Sequence, residues 1–128
     1  MNFLDPYAPQ VKAILRIVIG LLFLHIGIAK IFHFPMVHNW ANVQLGVWPE
    51  GYAAPIELVT GALVLLGFFS RYAAFIASGE MAFAYFIGHF PHSPLFPAVN
   101  GGTEAILFCF AFLYIAAAGP GPWALNQK

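Results

Sequence analysis

LRIVIGLLFLHIGIAKIF, Leu15 to Phe32, decides how the rest of the chain is read. The stretch is apolar enough to sit in lipid, yet it carries Arg16, His25 and Lys30. An ionisable group in a bilayer core is costly, so each of the three needs a partner or a wet cavity. The other segments are therefore read for what they can offer these groups.

Composition points the same way. Of the 128 residues, 61% are hydrophobic, 17% aromatic and only 8% charged, and mean hydropathy is +0.80. Soluble domains carry about a quarter charged residues, so the expected surroundings are a lipid bilayer. A net charge of zero offers no basic surface for nucleic acid. One domain, 1–128, is expected at this length. The single cysteine, Cys109, excludes an internal disulfide and a C-x-x-C redox pair. Lys12 and Arg16 ahead of an apolar run resemble a signal peptide, but no small-x-small cleavage site follows, so the first helix is expected to stay.

In chain order, helices are expected at about 11–34, 55–69, 72–90 and 102–118. The first stops before Pro35, and the second starts at Pro55, whose missing N–H is harmless there. Spanning needs roughly 20 residues at about 1.5 Å each. The loop 35–54 holds Trp40, Trp48 and Tyr52, suited to the headgroup zone, with a short interfacial helix expected over Met36–Leu45. Ser70 and Arg71 make a tight turn, 91–101 is a proline-rich loop, and Gly119 to Pro122 stop the last helix. The fold class expected is an all-α membrane protein, an antiparallel four-transmembrane-helix bundle. Lys12, Arg16, Arg71 and Lys128 fall on one side and Lys30 on the other, so the positive-inside rule puts both termini in the cytoplasm.

With that topology Lys30, Glu57, His89 and Glu104 lie in one outer layer, one on each helix. At about 100° per residue, Arg16, Gly20, Phe23, Gly27 and Lys30 share a stripe, and so do Glu57, Thr60, Gly61, Val64 and Phe68. His25 points about 140° away from Lys30. Glu80 and His89, nine apart, take opposite faces of a straight helix, with Tyr85 on the His89 side. Lys30 with Glu57 or Glu104 is the expected ion pair, joined by His89. Glu80 is set toward Arg16, toward neutrality or toward an oligomer partner.

Two readings of the outer cluster stand side by side: a salt-bridge network that fixes helix register, and a ligand or redox site opening outward. Intramembrane ionisable groups default to function, which favours the second. A metal site is disfavoured, because the bundle signature Glu-x-x-His is missing from the sequence and Lys30 would repel a cation. His25 facing Glu80 is a lesser alternative. His33, His38 and His92 read as solvated loop residues, and Cys109 as a small core residue. The aromatics of helices three and four, Phe83 to Phe112 among them, are core or lipid contacts, or the walls of a flat slot for a quinone-like ligand.

These residues carry a resemblance. Arg16 followed by His25-x-Gly27-x-x-Lys30, Glu57 ahead of Thr60-Gly61, Leu66 to Arg71, His89, Gly102-x-Glu104 and Gly119-Pro120-Gly121 together resemble the DoxX family. The likeness runs from about residue 12 to the end. The family's usual ending resembles GPG-x-x-SLD, where this chain has Ala124 and Asn126. The resemblance implies a four-helix protein of the bacterial inner membrane, tied to quinone-coupled sulfur oxidation or to thiol and oxidative-stress complexes. It implies Lys30, Glu57, His89 and Glu104 as the shared polar positions, with Arg16 beside them. The expected function is quinone or other small-molecule binding at this cluster, with a redox partner protein or a homo-oligomer. A non-enzymatic partner subunit or assembly factor and an oligomeric small-solute or proton-coupled transporter are the alternatives.

Overall fold

The computed structural model describes residues 2–37, 40 and 43–128. Regular structure among these residues is entirely helical. A 3₁₀ turn, Asp5–Tyr7, leads into α1, Ala8–Phe32. Pro6 and Pro9 occupy the first turns of these two elements, where a helix has no use for the missing N–H. α1 closes at His33, whose backbone is left-handed at φ 56°, and Pro35 bars Phe34 from helical geometry.

α2, Glu50–Leu66, begins earlier than Pro55 predicts. Pro55 instead sits inside the helix, where its ring denies a donor to the carbonyl four residues back. That carbonyl, Gly51 O, accepts from Gly46 N–H at 3.3 Å, so the preceding loop supplies the bond the helix cannot. Gly67 ends α2 at φ 70°, a left-handed backbone that favours glycine. The Gly67 and Phe68 N–H groups donate back to Val64 O and Leu63 O at 3.1 and 3.0 Å, the pattern of a Schellman stop.

α3, Ser70–Ala84, continues as a π-helical turn, Tyr85–His89, and a 3₁₀ turn, Phe90–His92. The short α4, Pro97–Asn100, precedes α5, Thr103–Ala118. The interfacial helix expected over Met36–Leu45 falls largely on residues 38, 39, 41 and 42, which lie outside the described residues, as does His38.

α1 and α2 run in opposite directions in close contact. Gly20 faces Leu65, Gly27 faces Leu58 and Gly61 faces Leu24. A Cβ at Gly61 would stand 2.5 Å from Leu24 N, and one at Gly27 would stand 2.7 Å from Leu58 N. Only glycine lets the two backbones approach this far. α3 and α5 also run oppositely, tied by Ser78 Oγ donating to Cys109 O at 2.7 Å. Ala73, Ala74 and Ala77 give α3 a small-residue face. Phe23 from α1 fills the space this leaves, edge-on to Phe112 at 4.7 Å.

The outer surface inverts the pattern of a soluble domain. Large apolar side chains point outward from every long helix: Leu21 and Val18 on α1, Val59 on α2, Phe75 and Ile76 on α3, Leu107 and Phe110 on α5. Arg16, Lys30, Glu57 and Thr60 are buried instead. One helical stretch among the described residues, Asp5–Phe32, is long and apolar enough to cross a membrane: it has 28 residues and contains an 18-residue window of mean hydropathy 2.1.

The C-terminal tail straps one end of the helices. Arg16 donates to Pro120 O, Pro122 O and Trp123 O at 3.1, 3.4 and 3.1 Å. Lys12 donates to Ala118 O at 3.0 Å and Arg71 to Ala117 O at 3.3 Å. Asn126 Oδ1 accepts Phe69 N–H at 3.0 Å, at the start of α3. Arg16 therefore serves the tail rather than Glu80, because three tail carbonyls beyond α5 lie within reach of its forked donors.

Candidate functional site

The opposite end holds a cavity of about 450 Å³. Ile26, Met81, Ala84, Ile87 and Phe108 supply apolar wall, and Trp48 and Tyr52 stand at the loop side. Lys30, Glu50, Glu57, Glu80, His89 and Glu104 are its titratable lining. Volume and mixture match an ordinary small-molecule site, mostly apolar with a few polar groups.

Lys30 is the centre. It sits in the last turn of α1, and the glycine contact between α1 and α2 brings it over the start of α2. Its Nζ donates to Glu57 Oε1 at 2.7 Å and Oε2 at 3.1 Å. A second carboxylate, Glu50 Oε2, lies at 2.7 Å. The Trp40 ring covers the ammonium from 5.0 Å, a cation–π contact. The two carboxylates differ in setting: the Glu57 side chain is 1% exposed, the Glu50 side chain 41%.

Glu50 has no place in the sequence reading, because a helix started at Pro55 leaves it in a loop. The signal was present as Pro49-Glu50, a proline followed by an acid, which is a common helix opening. Seven residues, about two turns of α2, separate Glu50 from Glu57, so both lie on one face and reach the same cation.

Glu104 lines the cavity but is exposed and forms no ion pair with Lys30. His89 lines it from the π-helical turn. Its Nδ1 is 3.1 Å from Asn100 O. A carbonyl only accepts, so Nδ1 carries the hydrogen and Nε2 is the ring's remaining nitrogen. Its ring also stacks on Tyr85 at 6.4 Å. Asn100, unmarked by sequence reasoning, organises this corner. Its Nδ2 donates to Tyr85 Oη and Ser93 O, and its Oδ1 accepts Gly102 N–H at 2.8 Å.

Glu80 and His89 line one cavity, against the expectation of opposite faces. The straight-helix count fails because Tyr85–His89 is a π turn, which takes more residues per turn and swings the following side chains around. Both Glu80 carboxyl oxygens are buried without a hydrogen-bond partner among the described residues. His25 is exposed on α1 and is not part of the cavity. His92 is exposed and His33 half-buried. Cys109 Sγ lies 3.5 Å from Ser78 Oγ, in the helix contact rather than at the site. No group of three or more His, Cys, Asp or Glu residues suited to a metal ion occurs among the described residues.

Comparison with known proteins adds two findings. The DoxX family profile matches residues 11–90. An uncharacterized protein of Haemophilus influenzae is 42% identical over 130 aligned residues, covering 100% of this chain and 97% of that protein. No solved structure matches the chain.

Proposed function

The chain belongs to the DoxX family of small membrane proteins, and on that premise we propose a redox-linked, four-span protein of the bacterial inner membrane that binds a quinone-type ligand in the outer cavity. Both termini lie in the cytoplasm, with Lys12, Arg16, Arg71 and Lys128 on that side. The outward apolar faces of α1, α2, α3 and α5 support four spans.

The observation that carries the ligand reading is the cavity. It combines aromatic and aliphatic walls with Lys30, a hydrogen-bond donor suited to a ring carbonyl. Lys30 polarises the bound oxygen, and His89, Glu80 and Glu104 stand ready to carry the protons that accompany quinone chemistry. The chain has a single cysteine and brings no thiol pair of its own, so electrons pass to or from a partner protein. The same fact favours a second reading, a non-enzymatic subunit that holds such a partner in place. In that case cluster variants lower the partner's abundance and leave quinone binding untouched.

The test is a quinone titration followed by quenching of tryptophan fluorescence, since Trp40 and Trp48 border the cavity. Saturable quenching, abolished by Ala84→Trp filling the cavity, supports the reading. Linear, non-saturating quenching that is the same in both proteins sinks it.

A further inference from the structure

Lys30 holds two carboxylates at 2.7 Å, and they are not equivalent. Glu57 is sealed among α1, α2 and the cavity wall, with 1% of its side chain exposed. Removing either partner of that pair would strand a buried charge, so the pair stays closed whatever fills the cavity. Glu50 is 41% exposed and begins α2, at the junction with the loop that carries Trp48. Water can solvate a departing Glu50 carboxylate, so its bond to Lys30 is the weaker one to break. An ammonium has three N–H donors. The Glu57 carboxylate takes one side of the ammonium and Glu50 Oε2 another, with the Trp40 ring over it at 5.0 Å. A ring carbonyl entering the cavity therefore competes with these acceptors for Lys30, and Glu50, the exposed one, is the one that can leave.

We infer that Glu50 is a displaceable internal ligand of Lys30, holding the position that a carbonyl oxygen of the occupant takes. This rests on the quinone reading and assigns Glu50 a role in setting affinity. Charge balance agrees. Lys30 with Glu57 is neutral, and Glu50 adds one negative charge to a lining that already holds the exposed Glu104. Exchange of the Glu50 carboxylate for a neutral carbonyl replaces one acceptor on Lys30 with another and moves the extra charge to water. Trp40, over the ammonium at 5.0 Å, stays available to cover the new contact. No covalent or electron-transfer step is involved, only the swap of one acceptor for another.

The experiment uses the purified full-length chain in nanodiscs, titrated with ubiquinone-1. Glu50→Gln and Glu50→Ala are compared with the unchanged protein for affinity, and near-ultraviolet circular dichroism verifies the fold of each. Infrared difference spectra are taken on binding. Loss of a half-exposed ion-pair competitor predicts about fivefold tighter binding in both variants. The unchanged protein should show a carboxylate band perturbed on binding, as Glu50 leaves Lys30, and this band should be missing from Glu50→Gln. Equal or weaker binding by the variants, or a carboxylate band that persists in Glu50→Gln, overturns the inference while the quinone reading stands. Absence of saturable binding by all three proteins removes the quinone reading itself, and the inference with it.

Discussion

Lys30 and Glu57 meet across the glycine-lined contact of α1 and α2, with Nζ 2.7 Å from one carboxyl oxygen and 3.1 Å from the other, and Glu57 all but excluded from solvent. Glycines hold that contact together: Gly27 lies against Leu58, the residue after Glu57. The pair is therefore a structural element first and a chemical one second.

Its energetics are asymmetric. Lys30→Met leaves Glu57 buried without its cation and should destabilise the fold by about 3–5 kcal/mol. Lys30→Met combined with Glu57→Leu removes both charges and should recover most of that loss. Equilibrium unfolding in mixed micelles measures both. Equal instability of the single and double variants would contradict the pairing.

The α1–α2 contact makes a separate prediction. Gly61→Ala puts a Cβ 2.5 Å from a backbone nitrogen that cannot rotate away. Overpacking of this kind costs about 1–3 kcal/mol, and Gly61→Leu should cost more. Gly79, which has open space around it, serves as the comparison: Gly79→Ala should be neutral or slightly stabilising in the same assay, since alanine is the better helix former.

The tail's role is read from Arg16 and Asn126. Arg16→Ala removes a buried guanidinium that serves three carbonyls, a loss of about 3 kcal/mol from charged hydrogen bonds. Arg16→Lys should recover only part of it, because a single ammonium lacks the fork. At Asn126 only the acceptor oxygen is used toward the Phe69 and Lys128 N–H groups. Asn126→Asp should therefore keep stability, helped by the negative charge at a helix start. Asn126→Ala should lose about 1 kcal/mol, the usual loss of a cap. Thermal unfolding of the three variants ranks them.

These features differ in how far the sequence reveals them. The stripe Arg16, Gly20, Phe23, Gly27 and Lys30 is buried along its whole length, because α1 is a regular helix and its period carries through. Glu57, Thr60, Gly61 and Val64 are buried for the same reason, while Phe68 lies past the Gly67 stop and is exposed. Periodicity fails where the helix departs from regularity. Pro55 reads as a start, yet Gly46 supplies the bond to Gly51 O, so α2 extends back to Glu50 and gives Lys30 its second partner. The π turn at Tyr85–His89 likewise brings Glu80 and His89 to one cavity against the straight-helix count. Arg16 finds its acceptors more than a hundred positions away, in carbonyls that no side-chain pattern marks. Residue types report which groups need partners, but backbone groups acting as partners leave no trace in a sequence.

The central claim is that the outer cavity holds a quinone-type ring, and photolabelling measures it most directly. An azidoquinone is irradiated with the full-length chain in nanodiscs, and the labelled peptides are mapped with and without excess ubiquinone-1. The prediction is saturable, competable labelling confined to the cavity walls, at Met81, Ala84 or Phe108 and at the Trp48–Tyr52 side. Labelling that does not saturate, or that falls only on outward residues such as Leu21, Phe75 and Leu107, would contradict it.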